Sequence, residues 1–403
     1  MKKITSFLFL TFIFSMIVFF ACSEEYPDGI YNPDFQGSTL PQITTVTPSD
    51  VLAGVDMITI TGANFSAINE ENLVYFNKGI KNMAATLVSS SPTQLQLYAP
   101  LMEADSIIIR IATPGALQFV DYTPMKVALA AIEYGGLGDN EDPVAVECDK
   151  DENLYVSLAN KDIVKISPTE PTKFTVISSE GISSISSMKI KGDYLYYSDR
   201  KSIYQILLQD GSKVKFNSKN TAQQVYDMDF TDNGMLYLGA KNAIYKMDEA
   251  GAWVDAADFT GRTVNAVKIF NGYVYSATSD TIWRNTINAD GTLGANEFVY
   301  DWTSILSANE DKIISFVIAE NGDIFVGSDT KYAMYKISNS GGSYAAGSAV
   351  PFYPLALFTP SMKMCWGEGQ YVYVVRDHAD VTQRRTIRVF MRQEGASYPG
   401  RGL

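Results

Sequence analysis

The sequence predicts an all-β protein whose larger part is a six-bladed β-propeller. One pattern occurs six times between Pro143 and Gly395: an apolar strand, a short polar turn, a second strand, a polar loop and a further strand. Each second strand is centred on an aliphatic-aromatic pair, and successive pairs lie about 38 to 50 residues apart: Leu154-Tyr155, Leu195-Tyr196, Leu236-Tyr237, Val274-Tyr275, Ile324-Phe325 and Val372-Tyr373. That spacing suits one four-stranded sheet per repeat, which buries both its faces only by stacking on its copies.

The last repeat supplies only three strands, and residues 395–403 are too rich in turn residues to form a fourth. A spare apolar strand, residues 128–134, precedes the first repeat. We therefore predict that this strand completes blade six, so that the two ends of the ring pair and no sheet edge stays open.

Residues 41–126 have a different sequence pattern, in which short strands with alternating apolar residues are separated by turn residues. The segment opens with Ile43-Thr44-Thr45-Val46-Thr47-Pro48, continues with Ile58-Thr59-Ile60-Thr61-Gly62-Ala63-Asn64-Phe65, and then has Val74-Tyr75-Phe76 and Pro100. These motifs resemble the immunoglobulin-like TIG (or IPT) domain. The resemblance implies a β-sandwich that serves as a spacer or interaction module and carries no catalytic residues.

Residues 127–403 then form the propeller, and its repeats resemble NHL-type blades. The best copy is Asp232-Asn233-Gly234-Met235-Leu236-Tyr237-Leu238, followed by the strand Ala243 to Met247. Glu320 to Val326 with Met334 to Ile337 is a second copy.

The N-terminus predicts secretion. Lys2 and Lys3 precede an apolar or hydroxyl run from Ile4 to Phe20, which ends in Ala21-Cys22. The order resembles a bacterial lipoprotein signal, which implies removal of residues 1–21 and lipidation of Cys22. An uncleaved anchor is the alternative, but it needs about 20 apolar residues. Residues 22–40 are predicted to be a flexible tether, and Ser23-Glu24-Glu25 is similar to the acidic tag of lipoproteins on the outer face of the outer membrane.

The charge of the chain excludes nucleic acid as a partner. The formal charge is −13, and it becomes −15 when Lys2 and Lys3 are removed with the signal. So acidic a surface repels phosphate backbones. We expect Cys148 and Cys365 to be buried free thiols, because stacked sheets about 10 Å apart hold the Cα atoms beyond disulfide reach.

Candidate catalytic groups are few, so we predict that the protein is not an enzyme and has no cofactor or metal. His378 is the one histidine. A His-rich zinc site needs several histidines, and a Ser-His-Asp triad has only this one candidate base. The loop residues Asp139, Asn140, Glu141 and Asp142 could bind Ca²⁺ or Mg²⁺, as in gluconolactonase-like propellers. Since they share a single loop, a solvated acidic turn is the preferred interpretation.

Four charged residues fall at one equivalent position in the first strands of blades one to four: Glu147, Lys189, Asp229 and Lys268. Their signs alternate. We predict that they pair across the seams between blades and form a structural ring.

The predicted ligand surface is the upper face of the propeller, defined as the face with the inter-blade loops and the loops from second to third strands. The lower face has the turns from first to second strands. Sugar rings stack on aromatic side chains, and charged or amide groups bond their hydroxyls. The upper-face residues predicted to bind ligand are Arg200, Arg262, Asp301, Trp302, Phe352, Tyr353, Arg376, Asp377 and His378. We expect the sandwich to attach at the lower face.

The sequence thus predicts a non-catalytic lipoprotein of the outer membrane that faces the cell exterior and captures a polysaccharide or oligosaccharide. This layout is similar to that of lipoproteins in outer-membrane glycan uptake systems. The resemblance implies a glycan ligand, a transporter or other surface lipoproteins as partners, and contact with the membrane through the lipid alone. A protein docking scaffold is the first alternative. A metal-dependent lactonase or lyase-like propeller enzyme is the second.

Overall fold

The computed structural model describes residues 36–400 except 180–184, 200, 217–223, 249, 306–311, 330–331, 358–359 and 399. The predicted signal, Cys22, most of the predicted tether and Arg200 lie outside the described residues. Within the described part of the chain, no helix combines the length and the apolar character that crossing a membrane requires.

The N-terminal domain is a sandwich of two antiparallel-dominated sheets. Its strands are β1 (Gln42–Thr47), β2 (Asp50–Ala53), β3 (Met57–Ala63), β4 (Leu73–Lys78), β5 (Lys81–Ala84), β6 (Leu87–Ser91), β7 (Gln94–Tyr98), β8 (Ala104–Ala112) and β9 (Val120–Leu129). A 3₁₀ helix spans Asn69–Glu71. One sheet has the order β1-β3-β7-β6 and the other the order β2-β9-β8-β4-β5.

The sandwich core follows from period-two alternation along the strands. In β8, Ile107, Ile109 and Ile111 are fully buried, and they face Ile58 and Ile60 of β3 in the same apolar cluster. Ser38 belongs to the predicted tether, yet its backbone N–H donates to the carbonyl of Gly115 at 2.7 Å. The described end of that segment is therefore attached to the sandwich.

The second domain is a six-bladed β-propeller, as predicted. The outer strand of blade six comes first in the chain, as β10 (Ala131–Glu133). Blades one and two consist of β11 (Pro143–Cys148), β12 (Leu154–Leu158), β13 (Ile163–Ile166), β14 (Thr175–Ser178), β15 (Ser187–Lys191), β16 (Tyr194–Ser198), β17 (Ile203–Leu207) and β18 (Lys213–Lys215). Blades three and four consist of β19 (Val225–Phe230), β20 (Leu236–Met247), β21 (Trp253–Thr263), β22 (Ala266–Phe270), β23 (Tyr273–Ala277), β24 (Thr281–Thr286) and β25 (Glu297–Asp301).

Blade five consists of β26 (Ile313–Ile318), β27 (Ile324–Ser328), β28 (Met334–Ile337) and β31 (Val350–Pro351), with a small hairpin of β29 (Asn339–Ser340) and β30 (Ser343–Tyr344) inserted before its last strand. Blade six has β32 (Ser361–Trp366), β33 (Tyr371–Arg376) and β34 (Thr386–Phe390), and a 3₁₀ helix spans Val381–Gln383.

The inner strands form a closed ring. Each of β11, β15, β19, β22, β26 and β32 packs against the next, and β32 packs against β11. Blade three departs from the repeat, because its second and third strands form one long bent strand, β20, with a register shift between Lys241 and Ala243. Cys148 and Cys365 are buried thiols, as expected.

The predicted pairing of residues 128–134 with blade six, which we call the clasp, is present but shorter than expected. Ala131, Ile132 and Glu133 pair antiparallel with Val389, Arg388 and Ile387 of β34. Two residues assigned to the clasp, Ala128 and Leu129, instead pair in parallel with Leu52 and Ala53 of the sandwich. The sandwich sheet therefore continues almost directly into blade six.

The sandwich also contacts the propeller through side chains. The guanidinium of Arg392 donates to both carboxylate oxygens of Asp56, one at 2.7 Å, and this pairing raises the pKa of Arg392. Leu355 packs closely against Gly54, whose φ of 67° and lack of a side chain allow the approach. The junction therefore combines an ion pair with an apolar contact.

Candidate functional site

Trp302 was predicted to be an exposed ligand contact, and this prediction is wrong. The side chain is fully buried. Its ring lies edge-on to Tyr335, with centroids 5.3 Å apart, and it also packs against Tyr300. Because the backbone N–H of Trp302 donates to the carbonyl of Asp280, the chain turns inward after β25 and the indole fills the seam between blades four and five.

Phe352 and Tyr353 are also packing residues. Their rings stack at 3.8 Å, and Phe352 contacts Phe325 edge-on within the apolar core between blades five and six. Burial raises the pKa of Tyr353 to about 12, with Arg392 and Asp56 close enough to influence it. Tyr353 therefore lies beside the junction with the sandwich, and the expectation that it points away from that domain is wrong.

Arg376, Asp377 and His378 form local bonds at the upper end of blade six. Arg376 donates to Glu133 at 3.0 Å and to the carbonyl of Gln383 at 2.8 Å. Asp377 pairs with Arg384 at 3.3 Å. The backbone N–H of Asp380 donates to His378 Nδ1 at 3.1 Å. Arg376 thus fastens the clasp strand β10 to the loop after β33.

The acidic loop before blade one takes part in the same closure. Arg384 pairs with Asp142 at 3.3 Å, and Arg385 pairs with Asp139 at 2.8 Å. Glu141 accepts from the backbone N–H of Gly138. The loop is therefore ion-paired to blade six, and the interpretation of a merely solvated turn is corrected. Across the described residues, no three His, Cys, Asp or Glu side chains are grouped so that they could bind a metal.

The remaining described members of the predicted surface are exposed and lie in blades three and four. The guanidinium of Arg262 lies 4.9 Å from the ring centre of Trp283. Asp301 accepts from the hydroxyl and the backbone N–H of Thr303, which lower its pKa. The described residues of the predicted surface are thus spread over blades three to six and form no single patch.

The centre of the propeller contains the predicted ring of charges. Lys189 Nζ lies 2.9 Å from Glu147 and 3.5 Å from Asp229, and all three side chains are buried. These two pairings confirm the prediction for blades one to three. Lys268 departs from the prediction. Its Nζ pairs at 2.9 Å with Asp227, which lies two residues before Asp229 in β19.

Asp227 is a further member of this network, and the sequence analysis missed it. It also accepts from the Ser187 hydroxyl at 2.6 Å and from the backbone N–H of Val267 at 2.9 Å. Burial alone would raise the pKa of Asp227, but Lys268 and Lys363 outweigh burial and hold that pKa well below its ordinary value. The residue is therefore a buried carboxylate that joins blades two, three and four.

Lys363 was missed as well. It crosses the ring to donate to the carbonyl of Tyr226 at 3.0 Å, and burial lowers its pKa. With Lys363 included, the described residues place three carboxylates and three ammonium groups in the channel. The network is balanced in charge, which is what a structural tie between blades requires.

The described part of the C-terminal segment, residues 395–398 and 400, closes the channel at the lower face. The backbone N–H of Ala396 donates to the carbonyl of Ile318 in blade five at 3.0 Å, and Gly192 in blade two donates to the carbonyl of Gly400 at 3.1 Å. The hydroxyl of Tyr398 donates a hydrogen bond to the carbonyl of Ile190, and the ring centre of Tyr398 lies 4.5 Å from Lys189 Nζ. A cavity of about 40 Å³ remains between this segment and the charged ring.

A larger pocket, about 630 Å³, opens on the lower face beside this segment, and we call it the lower-face pocket. Turns of blades three, four and five form its walls together with the C-terminal segment. Its polar and aromatic lining residues are Thr231, Asp232, Asn233, Phe270, Asn271, Glu320 and Ser397.

Backbone geometry fixes the turns that carry these side chains. Asn271 and Gly272 both have positive φ, 48° and 79°, which is the requirement of a tight two-residue hairpin. The backbone N–H of Glu320 donates to the carbonyl of Glu394 at 3.0 Å. Phe270 is half-buried against Tyr275. The pocket walls are therefore held by the fold before any ligand arrives.

Three polar side chains of the pocket are left for a ligand. Among the described residues, the side chains of Asp232, Asn271 and Glu320 have no hydrogen-bond or ion-pair partner, and all three are exposed. The sequence analysis assigned these residues to hairpin turns only. The signal that could have indicated them is the occurrence of Asp232-Asn233, Asn271 and Glu320-Asn321 at equivalent turns of three successive blades.

Comparison with known proteins supports both domains. Residues 41–127 match the IPT/TIG domain. No curated protein matches the chain. Among solved structures, a candidate gluconolactonase has a TM-score of 0.51 and 10% identity over 66% of this chain and 94% of its own. A Bacteroides thetaiotaomicron protein of unknown function has a TM-score of 0.46 and 12% identity over 90% of this chain and all of its own. The calcium-binding protein regucalcin from Agrobacterium tumefaciens has a TM-score of 0.49 and 12% identity over 66% and 95%.

These comparisons correct one prediction. The sequence analysis excluded an enzyme, but the propeller shares its fold with a candidate gluconolactonase, so the exclusion does not stand. At 10% identity the likeness concerns the fold, and no catalytic residue is transferred from it.

Proposed function

We propose that this protein is a cell-surface lipoprotein that binds a polysaccharide or oligosaccharide in the lower-face pocket, as the capture component of an outer-membrane glycan uptake system. The observation that carries the proposal is the pocket itself, in which unengaged carboxylate and amide side chains surround a half-exposed aromatic ring.

The chemistry of the pocket suits a sugar. Carboxylate oxygens of Asp232 and Glu320 accept bonds from hydroxyl groups, and the amides of Asn233 and Asn271 both donate and accept. The ring of Phe270 offers an apolar surface for the C–H face of a pyranose. A volume of about 630 Å³ lies within the range of small-ligand sites. It accommodates one to a few sugar units, which leaves the rest of a polymer outside.

A calorimetric titration against neutral, acidic and amino oligosaccharides tests the proposal. We expect Phe270→Ala to weaken binding about tenfold, since an aromatic contact contributes about 1 kcal/mol. Phe298→Ala is the matched control, because Phe298 is 62% exposed on the outer strand of blade four. The proposal fails if the intact protein binds no glycan, or if both variants lose the same affinity.

Anchoring is the second part of the proposal and is supported by the Lys2-Lys3, apolar and Ala21-Cys22 sequence. We expect Cys22→Ala to release the protein from membrane fractions, and protease added to intact cells to digest the parent protein. Membrane retention of the variant, or full protection of the parent, would contradict surface anchoring.

A docking scaffold is the second candidate function, and a groove on the sandwich favours it. This groove, about 780 Å³, lies at the β4-β5 turn and is lined largely by apolar side chains, among them Ile80, Leu101 and Leu129. Ile80 is completely exposed. Binding of a transporter subunit that Ile80→Asp abolishes, without any glycan affinity, would place this function first.

The fold shared with a candidate gluconolactonase adds sugar lactones to the ligand panel. Hydrolysis of gluconolactone is measured with and without Ca²⁺. Turnover that Asp232→Asn and Glu320→Gln remove would assign the lower-face pocket a chemical step in addition to binding.

A further inference from the structure

The charges of the lower-face pocket are of one sign. Asp232 comes from the blade-three turn and Glu320 from the blade-five turn, so they lie on either side of the blade-four turn that carries Asn271. Among the described residues that line the pocket there is no lysine or arginine. A ligand in this pocket therefore meets carboxylates from two sides, and no described lining residue supplies a compensating cation.

Two lysines that contact turns of blades three and four donate to backbone carbonyls there. Lys191 Nζ donates to the carbonyl of Gly234, and Lys246 Nζ donates to the carbonyl of Asp290, each at 3.3 Å. Both amino groups thus stabilise the turns behind the pocket wall. The formal charge of −13 adds a long-range field of the same sign as the pocket.

We propose that the lower-face pocket selects glycans by charge, with a free amino sugar bound most tightly, a neutral sugar next and a uronic acid or sulfated sugar least. This inference rests on the proposed glycan binding and names its ligand class. An ammonium group on the sugar donates charge-assisted hydrogen bonds to Asp232 or Glu320, which are stronger than those of a hydroxyl. A carboxylate or sulfate on the sugar is repelled by the same two groups.

The experiment compares three β1,4-linked tetrasaccharides of equal length: a glucosamine tetramer, cellotetraose and a mannuronate tetramer. Calorimetry at 20 mM and at 300 mM salt measures each affinity with the full chain. At low salt we expect the glucosamine tetramer to bind at least tenfold more tightly than the mannuronate tetramer. We expect this difference in affinity to shrink at 300 mM salt, because exposed charges are screened.

Charge-removing variants identify the groups responsible. Asp232→Asn and Glu320→Gln keep the size of the side chain, and together they should bring the three affinities within about threefold of one another, mainly by weakening the amino sugar. Asp255→Asn is the matched control, since Asp255 is an exposed carboxylate on the outer strand of blade three. It should leave the order and the difference in affinity unchanged.

The outcomes separate this inference from the function on which it rests. If cellotetraose binds and the mannuronate tetramer binds equally well or better, charge selection is wrong while glycan binding stands. Charge selection is also wrong if the variant with both Asp232→Asn and Glu320→Gln keeps the same order of affinities, because other groups then cause the selectivity. If none of the three tetramers or other oligosaccharides binds, both the proposed function and the inference fail.

Discussion

The two faces of the propeller use similar residue types in opposite ways. On the upper face, Arg376 is bonded to Glu133 across the clasp, and the aromatic Trp302 is sealed in a seam. On the lower face, Asp232 and Glu320 stay without described partners beside a half-buried Phe270. The difference shows that a loop side chain is available to a ligand only where the fold offers it no partner of its own.

The sharpest way to test this comparison is to truncate Trp302. Trp302→Ala should lower the free energy of unfolding of the propeller by about 3–5 kcal/mol, since it leaves a large cavity between blades four and five. Urea unfolding followed by circular dichroism measures the loss. Phe298→Ala should cost less than about 1 kcal/mol because that ring is largely exposed. If the Trp302→Ala protein were as stable as the Phe298→Ala protein, the result would indicate that Trp302 is exposed, as the sequence predicted.

Removing the C-terminal segment tests the lower face. A chain that ends at Gln393 lacks the bonds to Ile318, Ile190 and Gly192, and we expect it to lose about 1–3 kcal/mol of stability. Because Ser397 lines the lower-face pocket, glycan affinity should fall about tenfold as well. The matched control ends at Gly400 and keeps every described bond. Equal behaviour of the two truncated chains would show that the segment is not part of the pocket.

Arginine substitutions distinguish the roles assigned to the upper face. Arg376→Ala removes bonds to Glu133 and Gln383, so we expect a loss of about 1 kcal/mol, part of it sensitive to salt. Arg262→Ala should change stability by less than about 0.5 kcal/mol, since this side chain is exposed. Neither variant should weaken glycan binding in calorimetry. A loss of affinity in both would support the ligand surface that the sequence predicted.

The smallest expected effect is a pH dependence of the blade-five turn that carries Glu320. Burial would raise the pKa of Asp323, but Lys336 at 2.8 Å and the backbone N–H of Asn339 hold it below its ordinary value. Its stabilising contribution, below about 1 kcal/mol, is therefore complete above the unfolded pKa of about 3.9 and is lost as the pH falls through the folded value.

Nuclear magnetic resonance titration of the Asp323 carboxyl in the parent and in Lys336→Met checks this dependence. We expect the variant to titrate at higher pH and to lose its stability earlier on acidification. Identical titration of both proteins would mean that the ion pair does not hold the turn.

Much of the fold was predictable because it depends on patterns that repeat. The aliphatic-aromatic pairs located every second strand of a blade, and the strand deficit of blade six predicted its pairing with β10. The Lys189 pairings followed from equivalent positions in neighbouring blades. Asp227 and Lys363 escaped prediction, because their contacts connect blades two to six across the channel and follow no period in the sequence.

The site was predictable only in part. The residue types expected for a sugar, carboxylates, amides and an aromatic ring, do occur together, but at the lower face. Burial decided the outcome for Trp302 and Tyr353, and burial depends on how blades meet rather than on loop composition. The pocket wall formed by Ser397 depends on the path of the last residues, which no local pattern specifies.

The clasp sets the order of events when the chain is made. Thr386 bonds the carbonyl of Tyr134 over a separation of 252 residues, so blade six is incomplete until almost the whole chain has been synthesised. Until then blade one and the growing blades present unsatisfied edges and seams, which favour association with other chains. The sandwich, which precedes the ring and contains its own apolar core, can fold first. The ring therefore stays open to association with other chains until β34 is in place.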